Sequence, residues 1–161
     1  MSEFRLAEHF ISINGEGCAA GELALFLRFA GCNLRCEWCD TMWANDESAP
    51  HTVVSTEQLT DIAKKAIAGG VRNVTLTGGE PLLRESMDEL IAVLINLGLR
   101  TEIETNGSVP LEKFAGACRP VFTMDYKLPS SGMEKYMRTE NFDVLGEGDS
   151  LKFVCASKAD L

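Results

Sequence analysis

Three cysteines crowded into eight residues are the strongest chemical feature of the sequence. Cys32, Cys36 and Cys39 have the spacing C-x3-C-x2-C. Three thiolates this close in sequence can converge on one metal centre from a single loop. Closed structural zinc sites use four ligands, so a set of three favours a 4Fe–4S cluster with one iron free of protein ligands. That iron can chelate the amino and carboxylate groups of S-adenosylmethionine, and an electron can then pass into the sulfonium.

The same spacing leaves two other interpretations open. A zinc ion could bind the three thiolates and take its fourth ligand from Cys18, His9 or His51. The three cysteines could also be incidental thiols that pack in a core. In a cytosolic chain we expect no disulfides, so the six cysteines are thiols, metal ligands or catalytic groups.

A charged residue, Arg28, interrupts a short apolar strand predicted over 24–29. By alternation it shares a face with Ala24 and Phe26. A guanidinium on a buried strand needs an anionic partner, because an unpaired buried charge is very costly. The residues alone allow a structural salt bridge, but the position just before the cysteine loop favours a bidentate clamp on a substrate carboxylate.

The segment 77–81, Thr-Gly-Gly-Glu-Pro, follows a strand predicted over 73–76. It can be a plain turn from a strand into a helix, with Pro81 at the first helical position. It can also use its exposed backbone groups and Glu80 to hold the ammonium and carboxylate of S-adenosylmethionine. Glycine would let the backbone approach that ligand closely.

Polar side chains also recur on single faces of two later strands. Glu102, Glu104 and Asn106 share one parity, and Asp125 and Lys127 share another. Such residues near the ends of parallel strands are costly unless they line a ligand site, although a solvated sheet edge would also explain them.

The elements that position these residues alternate between strands and helices. A capping box at Ser55 and Gln58 begins one predicted helix, and an apolar stripe over 87–95 predicts a second. Further strands are predicted over 101–105, 121–126 and 151–155, with a short helix near 111–115. The pattern predicts an α/β fold in which repeated βα units form a partial, open parallel barrel.

Composition excludes several other classes of protein. The 161-residue chain has 15 Lys and Arg against 24 Asp and Glu, a formal net charge of −9. Broad nucleic-acid binding needs a basic surface, so we expect neither a nucleic-acid partner nor an anionic membrane. The longest apolar run is far short of the roughly 20 residues of a membrane span, and the start lacks a signal-peptide core. We therefore expect a single cytoplasmic domain over residues 1–161.

Taken together, these motifs resemble those of a known enzyme family. The C-x3-C-x-aromatic-C signature of the radical S-adenosylmethionine superfamily is present, with Trp38 as the aromatic. The resemblance narrows to the 7-carboxy-7-deazaguanine synthase family. It covers essentially the whole chain, and the motifs follow in order at 12–17, 26–34, 38–41, 77–81, 104–107 and 125–127.

The resemblance implies a role for each matching position. Cys32, Cys36 and Cys39 are the cluster ligands, and Thr41 helps to hold a magnesium ion. The positions implied to contact S-adenosylmethionine are Trp38, Asp40, Gly79, Glu80, Glu104, Asn106, Asp125, Tyr126 and Lys127. The positions implied to contact the substrate are Ile13, Asn14, Gly15, Arg28 and Thr77.

It also implies the reaction and the partners. The enzyme would be a carbon–nitrogen lyase that converts 6-carboxy-5,6,7,8-tetrahydropterin to 7-carboxy-7-deazaguanine with loss of ammonia, on the pathway to queuosine. A radical made from S-adenosylmethionine would abstract hydrogen from C6 of the pterin. A flavodoxin or ferredoxin would supply the electron, and the enzyme would be a homodimer. Family members normally run some tens of residues further, so we expect the barrel to be shortened at the C-terminus.

Two rival functions share part of this pattern. A small glycyl-radical activase has the same cysteine spacing and a comparably short chain, although Arg28, Thr41 and the 14–17 segment count against it. A non-catalytic zinc or iron–sulfur module would also account for the three cysteines.

Overall fold

The order of the strands in one mixed sheet decides which parts of the chain meet. The computed structural model describes residues 2–46 and 48–160. Seven strands form the sheet: β1 (Glu3–Ile13), β2 (Leu23–Phe29), β3 (Thr52–Ser55), β4 (Asn73–Gly78), β5 (Arg100–Thr105), β6 (Val121–Tyr126) and β7 (Ser150–Phe153). Their order across the sheet is β3-β1-β2-β4-β5-β6-β7.

Five of the seven strands are parallel, as the βα pattern predicts. Strands β2, β4, β5, β6 and β7 run in one direction. The all-parallel prediction is wrong at the other edge, where β1 pairs antiparallel with both β2 and β3. Strands β1 and β3 are not among the strands that the sequence pattern predicts. Strand β1 buries Phe4 and Leu6 on one face, while most of its other residues are exposed. This is typical of an antiparallel strand covered on one side.

Two α-helices cover one face of the sheet. Helix α1 (Thr56–Ala68) begins with the predicted capping box, in which Gln58 N donates to Ser55 Oγ and Ser55 N donates to Gln58 Oε1. Helix α2 (Met87–Asn96) buries the predicted apolar stripe. The predicted helix near 111–115 is a 3-10 turn over Leu111–Phe114, and the connection from β6 to β7 contains only 3-10 turns. No helix in the described part of the chain is long and apolar enough to cross a membrane.

Alternation along the parallel strands separates a dry face from a polar one. Leu27, Leu76, Ile103 and Phe122 are fully buried in the core beneath the helices. Residues of the opposite parity face the concave side of the sheet. The residues on this concave face are Phe26, Arg28, Thr77, Glu104, Thr123, Asp125 and Lys152. The partial-barrel fold class is therefore confirmed.

Candidate active site

A cavity of about 550 Å³ opens on the concave face of the sheet. Strand ends and the loops that follow them supply its wall, as expected for a parallel α/β sheet. The predicted site residues that line it are Asn14, Gly15, Arg28, Cys32, Cys36, Trp38, Cys39, Asp40, Thr41, Thr77, Gly79, Glu104, Asn106, Asp125 and Lys127.

The cysteine loop, residues 31–41, is held at its start and near its middle by backbone hydrogen bonds. Gly31 N donates to Ala44 O at 2.7 Å, and Cys32 N donates to Asn45 O at 3.1 Å. Glu37 N donates to a carbonyl of the 3-10 turn that follows β6. These bonds fix a loop without regular structure, and its three thiols face the same cavity.

Amide groups point at two of the three sulfurs. Leu34 N and Asn106 Nδ2 lie 3.4 and 3.6 Å from Cys32 Sγ. Asn45 Nδ2 lies 3.2 Å from Cys39 Sγ. Such donors favour a thiolate, which is the form that binds a metal.

Burial acts in the opposite direction. It raises the pKa of the Cys32 and Cys36 thiols above the ordinary value. The ammonium of Lys127 lowers the pKa of Cys36, while repulsion from Cys39 raises the pKa of both thiols and repulsion from Cys32 further raises that of Cys36. The site is therefore a group of mutually close thiols whose anionic forms need a cationic centre between them.

The side chains proposed to complete a zinc site lie elsewhere. Cys18 Sγ is 3.3 Å from Ser150 Oγ, and His51 Nδ1 is 2.7 Å from Ala49 O. His9 is exposed on β1. Within residues 2–46 and 48–160, no three His, Cys, Asp or Glu side chains converge closely enough to hold a single metal ion. A 4Fe–4S cube asks for a wider arrangement, because each thiolate binds a different iron, and three thiols around one cavity fit that requirement.

The glycine turn, residues 77–81, packs directly on the cysteine loop. Gly79 N donates to Phe29 O, and Glu80 N donates to Gly31 O, both at 3.1 Å. A Cβ at Gly79 would lie 2.2 Å from Gly31 O, and one at Gly78 would lie 2.1 Å from Phe29 O. Glycine is therefore required at these two positions by the close packing of the glycine turn against the backbone of residues 29–31.

The Glu80 carboxylate does not reach the cavity. It is fully buried and accepts hydrogen bonds from Leu82 N at 3.0 Å, from Thr105 Oγ1 at 3.0 Å and from Asn106 N at 2.7 Å. Burial raises its pKa to about 7. The side chain is therefore turned away from the proposed S-adenosylmethionine site, and its predicted contact with that ligand stays a prediction. Its observed contacts instead fix the turn after β5.

Two further predicted residues point away from the cavity. The side chain of Ile13 is 65% exposed at the end of β1. Tyr126 alternates with Asp125 and Lys127 and packs between Phe142 and Phe153, with ring centres 5.6 and 5.8 Å away. Only their backbones remain near the residues that line the cavity.

Asn14 lies at the buried inner end of the cavity, where its side chain has one free acceptor. Its Nδ2 donates to Glu102 Oε2 at 2.9 Å and to Thr75 Oγ1 at 3.3 Å. Its Oδ1 is buried without a partner among the described residues. A buried orphan acceptor at a cavity is a position where a ligand donor is expected.

Arg28 combines the two alternatives that its sequence position allows. Its Nε lies 2.8 Å from Glu8 Oε1, which is the structural ion pair. Arg28 also lines the cavity, and no hydrogen bond or ion pair joins its two terminal nitrogens to a described residue. Those nitrogens are the ones that bind a carboxylate side by side.

Glu104 and Thr77 form a close pair on neighbouring strands. The Thr77 hydroxyl donates to Glu104 Oε2. Burial raises the pKa of Glu104 to about 7, with further repulsion from Glu16 and Glu102, while the Thr77 hydrogen bond and Lys152 oppose the shift.

Asp125, Lys127 and Trp38 form the remaining side of the cavity. Lys127 Nζ lies 2.8 Å from Asp125 Oδ2 and 5.3 Å from the centre of the Trp38 ring. Asp125 Oδ1 and Trp38 Nε1 are both buried without a partner among the described residues. This side therefore presents one acceptor and one donor to a ligand.

Three charged or polar residues that bear on the chemistry of the cavity are not among the predicted site residues. Asn45 has no motif that marks it, because its contact with Cys39 arises from the fold of an irregular segment. Glu16 lies within the 12–17 motif, in which nothing distinguishes it from a solvated loop residue. Lys152 alternates with the exposed side chains of Leu151 and Phe153, so the parity of β7 was the signal that could have found it.

Comparisons with known proteins agree with this geometry. A family model described as the radical SAM superfamily matches residues 27–145. A 7-carboxy-7-deazaguanine synthase of Clostridium acetobutylicum is 50% identical over 160 residues, which is 98% of this chain and 71% of that protein. One from Thermoplasma acidophilum is 35% identical, covering 97% of this chain and 72% of its own. The crystal structure of QueE from Escherichia coli has a TM-score of 0.77 at 22% identity, covering 98% and 74% of the two chains.

Proposed function

Because the chain belongs to the 7-carboxy-7-deazaguanine synthase family of the radical SAM superfamily, we propose that its cavity holds S-adenosylmethionine and a pterin side by side. The chain is a radical SAM enzyme of deazapurine biosynthesis and a lyase. The proposed substrate is 6-carboxy-5,6,7,8-tetrahydropterin, and the proposed products are 7-carboxy-7-deazaguanine and ammonia.

Cys32, Cys36 and Cys39 are the proposed ligands of a 4Fe–4S cluster. When bound with S-adenosylmethionine, such a cluster would supply the electron that cleaves the sulfonium, and the carbon radical released would be reactive enough to abstract hydrogen from carbon. The protein's own part is to hold three thiolates with amide donors from Leu34 and Asn45.

The two ligands divide the cavity between them. On the side of the cysteine loop, Gly79, Asn106, Asp125 and Lys127 are the proposed contacts of S-adenosylmethionine, together with Trp38, Asp40 and Glu104. Toward β1 and β2, Asn14, Gly15, Arg28 and Thr77 are the proposed contacts of the pterin.

A magnesium ion beside the substrate is a further part of the proposal. Thr41 lines the cavity, and its hydroxyl lies 3.7 Å from Cys39 Sγ. Magnesium binds hard oxygen ligands and keeps several waters, so one hydroxyl and substrate oxygens suit it.

The observation that carries the proposal is the set of unsatisfied polar atoms on residues that line the same cavity as the three cysteines. Asn14 Oδ1, Trp38 Nε1 and Asp125 Oδ1 are buried without partners, and all three residues line the same cavity as the cysteines. Buried polar atoms normally have partners, so a polar, multi-functional ligand accounts for them together. An electron-transfer or structural zinc module would need none of these atoms free.

The direct test is anaerobic turnover of the reconstituted protein. Incubation with the pterin, S-adenosylmethionine and dithionite should give 7-carboxy-7-deazaguanine and ammonia, detected by mass spectrometry and an ammonia assay. A glycyl-radical partner protein offered in place of the pterin should give no product and no glycyl radical. Failure with the pterin but activation of that partner would support the rival activase instead.

The cellular setting is proposed on the same basis. We propose a single radical SAM core domain that acts in the cytoplasm as a homodimer. Its electron donor is a flavodoxin or ferredoxin, and nucleic acid and membranes play no part, in keeping with the net charge of −9.

A further inference from the structure

A line of alternating charges joins two loops that lie on opposite sides of the cavity. Lys152 Nζ lies 2.9 Å from Glu16 Oε2 and 3.4 Å from Asp125 Oδ2. Asp125 Oδ2 lies 2.8 Å from Lys127 Nζ, which lies over the Trp38 ring. Glu16 belongs to the loop between β1 and β2, and Trp38 belongs to the cysteine loop. Lys152 is the link at which the first loop joins this line.

The loop between β1 and β2, residues 14–22, crosses the concave face to reach β7. Four strands separate β1 from β7 in the sheet. The loop nevertheless contacts the start of β7, where Cys18 Sγ lies 3.3 Å from Ser150 Oγ. At Gly17, whose φ is +70°, an added Cβ would lie 1.9 Å from Glu102 Oε1. The loop therefore lies directly on the inner face, with no strand pairing to hold it there.

Only one charged pair ties this loop to the far strand among the described residues, and it is Glu16 with Lys152. Both side chains are 36% exposed, so the pair itself contributes little to stability. Glu16 directly follows Gly15 and lies two residues after Asn14, so the pair anchors the loop next to the two residues that line the cavity. A small displacement of a group that orients a substrate is costly for binding and turnover.

We propose that Lys152 is a positioning residue for the pterin, acting through Glu16 to hold the 14–22 loop over the substrate half of the cavity. The inference rests on the proposed function, because it takes Asn14 and Gly15 to contact the pterin. Lys152 itself need not touch the substrate. Its second contact, with Asp125, fixes the loop relative to the opposite side of the cavity.

The test compares two single variants with their double variant. Lys152→Met and Glu16→Gln should each raise the KM for the pterin by about tenfold, and the double variant should raise it no further, since both remove one link. Lys152→Arg should restore most of the affinity. Lys64→Met, on the exposed face of α1, is the matched control and should leave KM unchanged.

A second readout does not depend on turnover. The dissociation constant of the pterin for the reconstituted protein should rise about tenfold in Glu16→Gln, while the affinity for S-adenosylmethionine, followed by EPR of the cluster, should stay within threefold. Unchanged pterin affinity in both single variants would overturn the inference. So would an additive double variant, or an effect of Lys152→Met that Glu16→Gln does not share.

The activity of the wild-type protein distinguishes a failure of this inference from a failure of the proposed function. If wild type converts no pterin, the proposed function fails. If wild type converts pterin and the variants bind it normally, only the role of Lys152 fails. Should Lys152→Met not fold, the half-exposed Glu16→Gln variant still decides the question.

Discussion

The buried carboxylate of Glu80 accepts the backbone N–H of Asn106 at 2.7 Å, and this contact joins the glycine turn to the turn after β5. Asn106 in turn directs its side-chain amide toward Cys32, 3.6 Å away. The position of one cavity residue therefore depends on a carboxylate that never reaches the cavity. An acidic residue in a cofactor motif can act by shaping the backbone around the ligand.

Glu80→Ala should lower the free energy of unfolding of the apo protein by about 2–4 kcal/mol, because it leaves buried donors of Leu82, Thr105 and Asn106 unpaired. Glu80→Gln keeps one acceptor oxygen and should cost less. Urea denaturation measures both. The neighbouring Glu85→Ala is the control, since Glu85 is exposed, and it should change stability by less than about 0.5 kcal/mol. A stable Glu80→Ala protein that had lost only its affinity for S-adenosylmethionine would instead support a direct contact between Glu80 and that ligand.

Arg28→Lys should raise the KM for the pterin about a hundredfold, because a lysine cannot bind a carboxylate with two parallel N–H groups. Glu8→Gln removes the ion pair to Arg28 Nε and should change that KM by less than about threefold. Steady-state kinetics at saturating S-adenosylmethionine measure both, with the exposed Arg5→Lys as control. Equal effects of Glu8→Gln and Arg28→Lys would mean that Arg28 serves only its ion pair.

Asn45→Leu should lower the midpoint potential of the cluster. The leucine keeps the branching of asparagine at Cγ but removes the N–H that lies 3.2 Å from Cys39 Sγ, and hydrogen bonds to the sulfurs favour the reduced state. An EPR-monitored redox titration measures the shift. The exposed Asn96→Leu, on α2, should leave the potential unchanged. An unshifted potential in Asn45→Leu would show that this amide does not act on the sulfur.

Glu104 should make the stability of the apo protein depend on pH. Burial raises its pKa from 4.5 to about 7, so protonated Glu104 favours the folded state. That contribution is fully present below about pH 4.5 and is lost as the pH rises through about 7. Relative to Glu104→Gln, the free energy of unfolding of wild type should fall by up to about 3 kcal/mol over this range and stay level above it. Urea denaturation from pH 4.5 to 8 measures the difference, and a flat or rising difference would contradict it.

Local sequence patterns predict those parts of the fold that depend on a single segment of the chain. The capping box at Ser55 and Gln58 and the parity of Arg28 on β2 both depend on the backbone of their own segment. Strand β1 is not predicted because its side chains beyond Leu6 are mostly exposed and no alternation marks them; only the finished sheet reveals its pairing with β2 and β3.

The sequence predicts which residues belong to the site, but it does not predict where every side chain points. Parity placed Glu104 and Asp125 on the cavity side, and the same rule would have turned Tyr126 away from it. Whether Glu80 faces a ligand or the backbone depends on how two loops pack, which no local pattern specifies. The contact of Lys152 with Glu16 joins residues 136 positions apart and follows only from the curl of the sheet.

The central claim is that three cysteines hold a 4Fe–4S cluster with one iron open to S-adenosylmethionine. The most direct measurement is the EPR spectrum of the anaerobically reconstituted, reduced protein with and without that ligand. The account predicts a 4Fe–4S signal whose g-values move when S-adenosylmethionine is added. A spectrum that S-adenosylmethionine leaves unaltered, or a colourless protein holding about one zinc per chain, would contradict it.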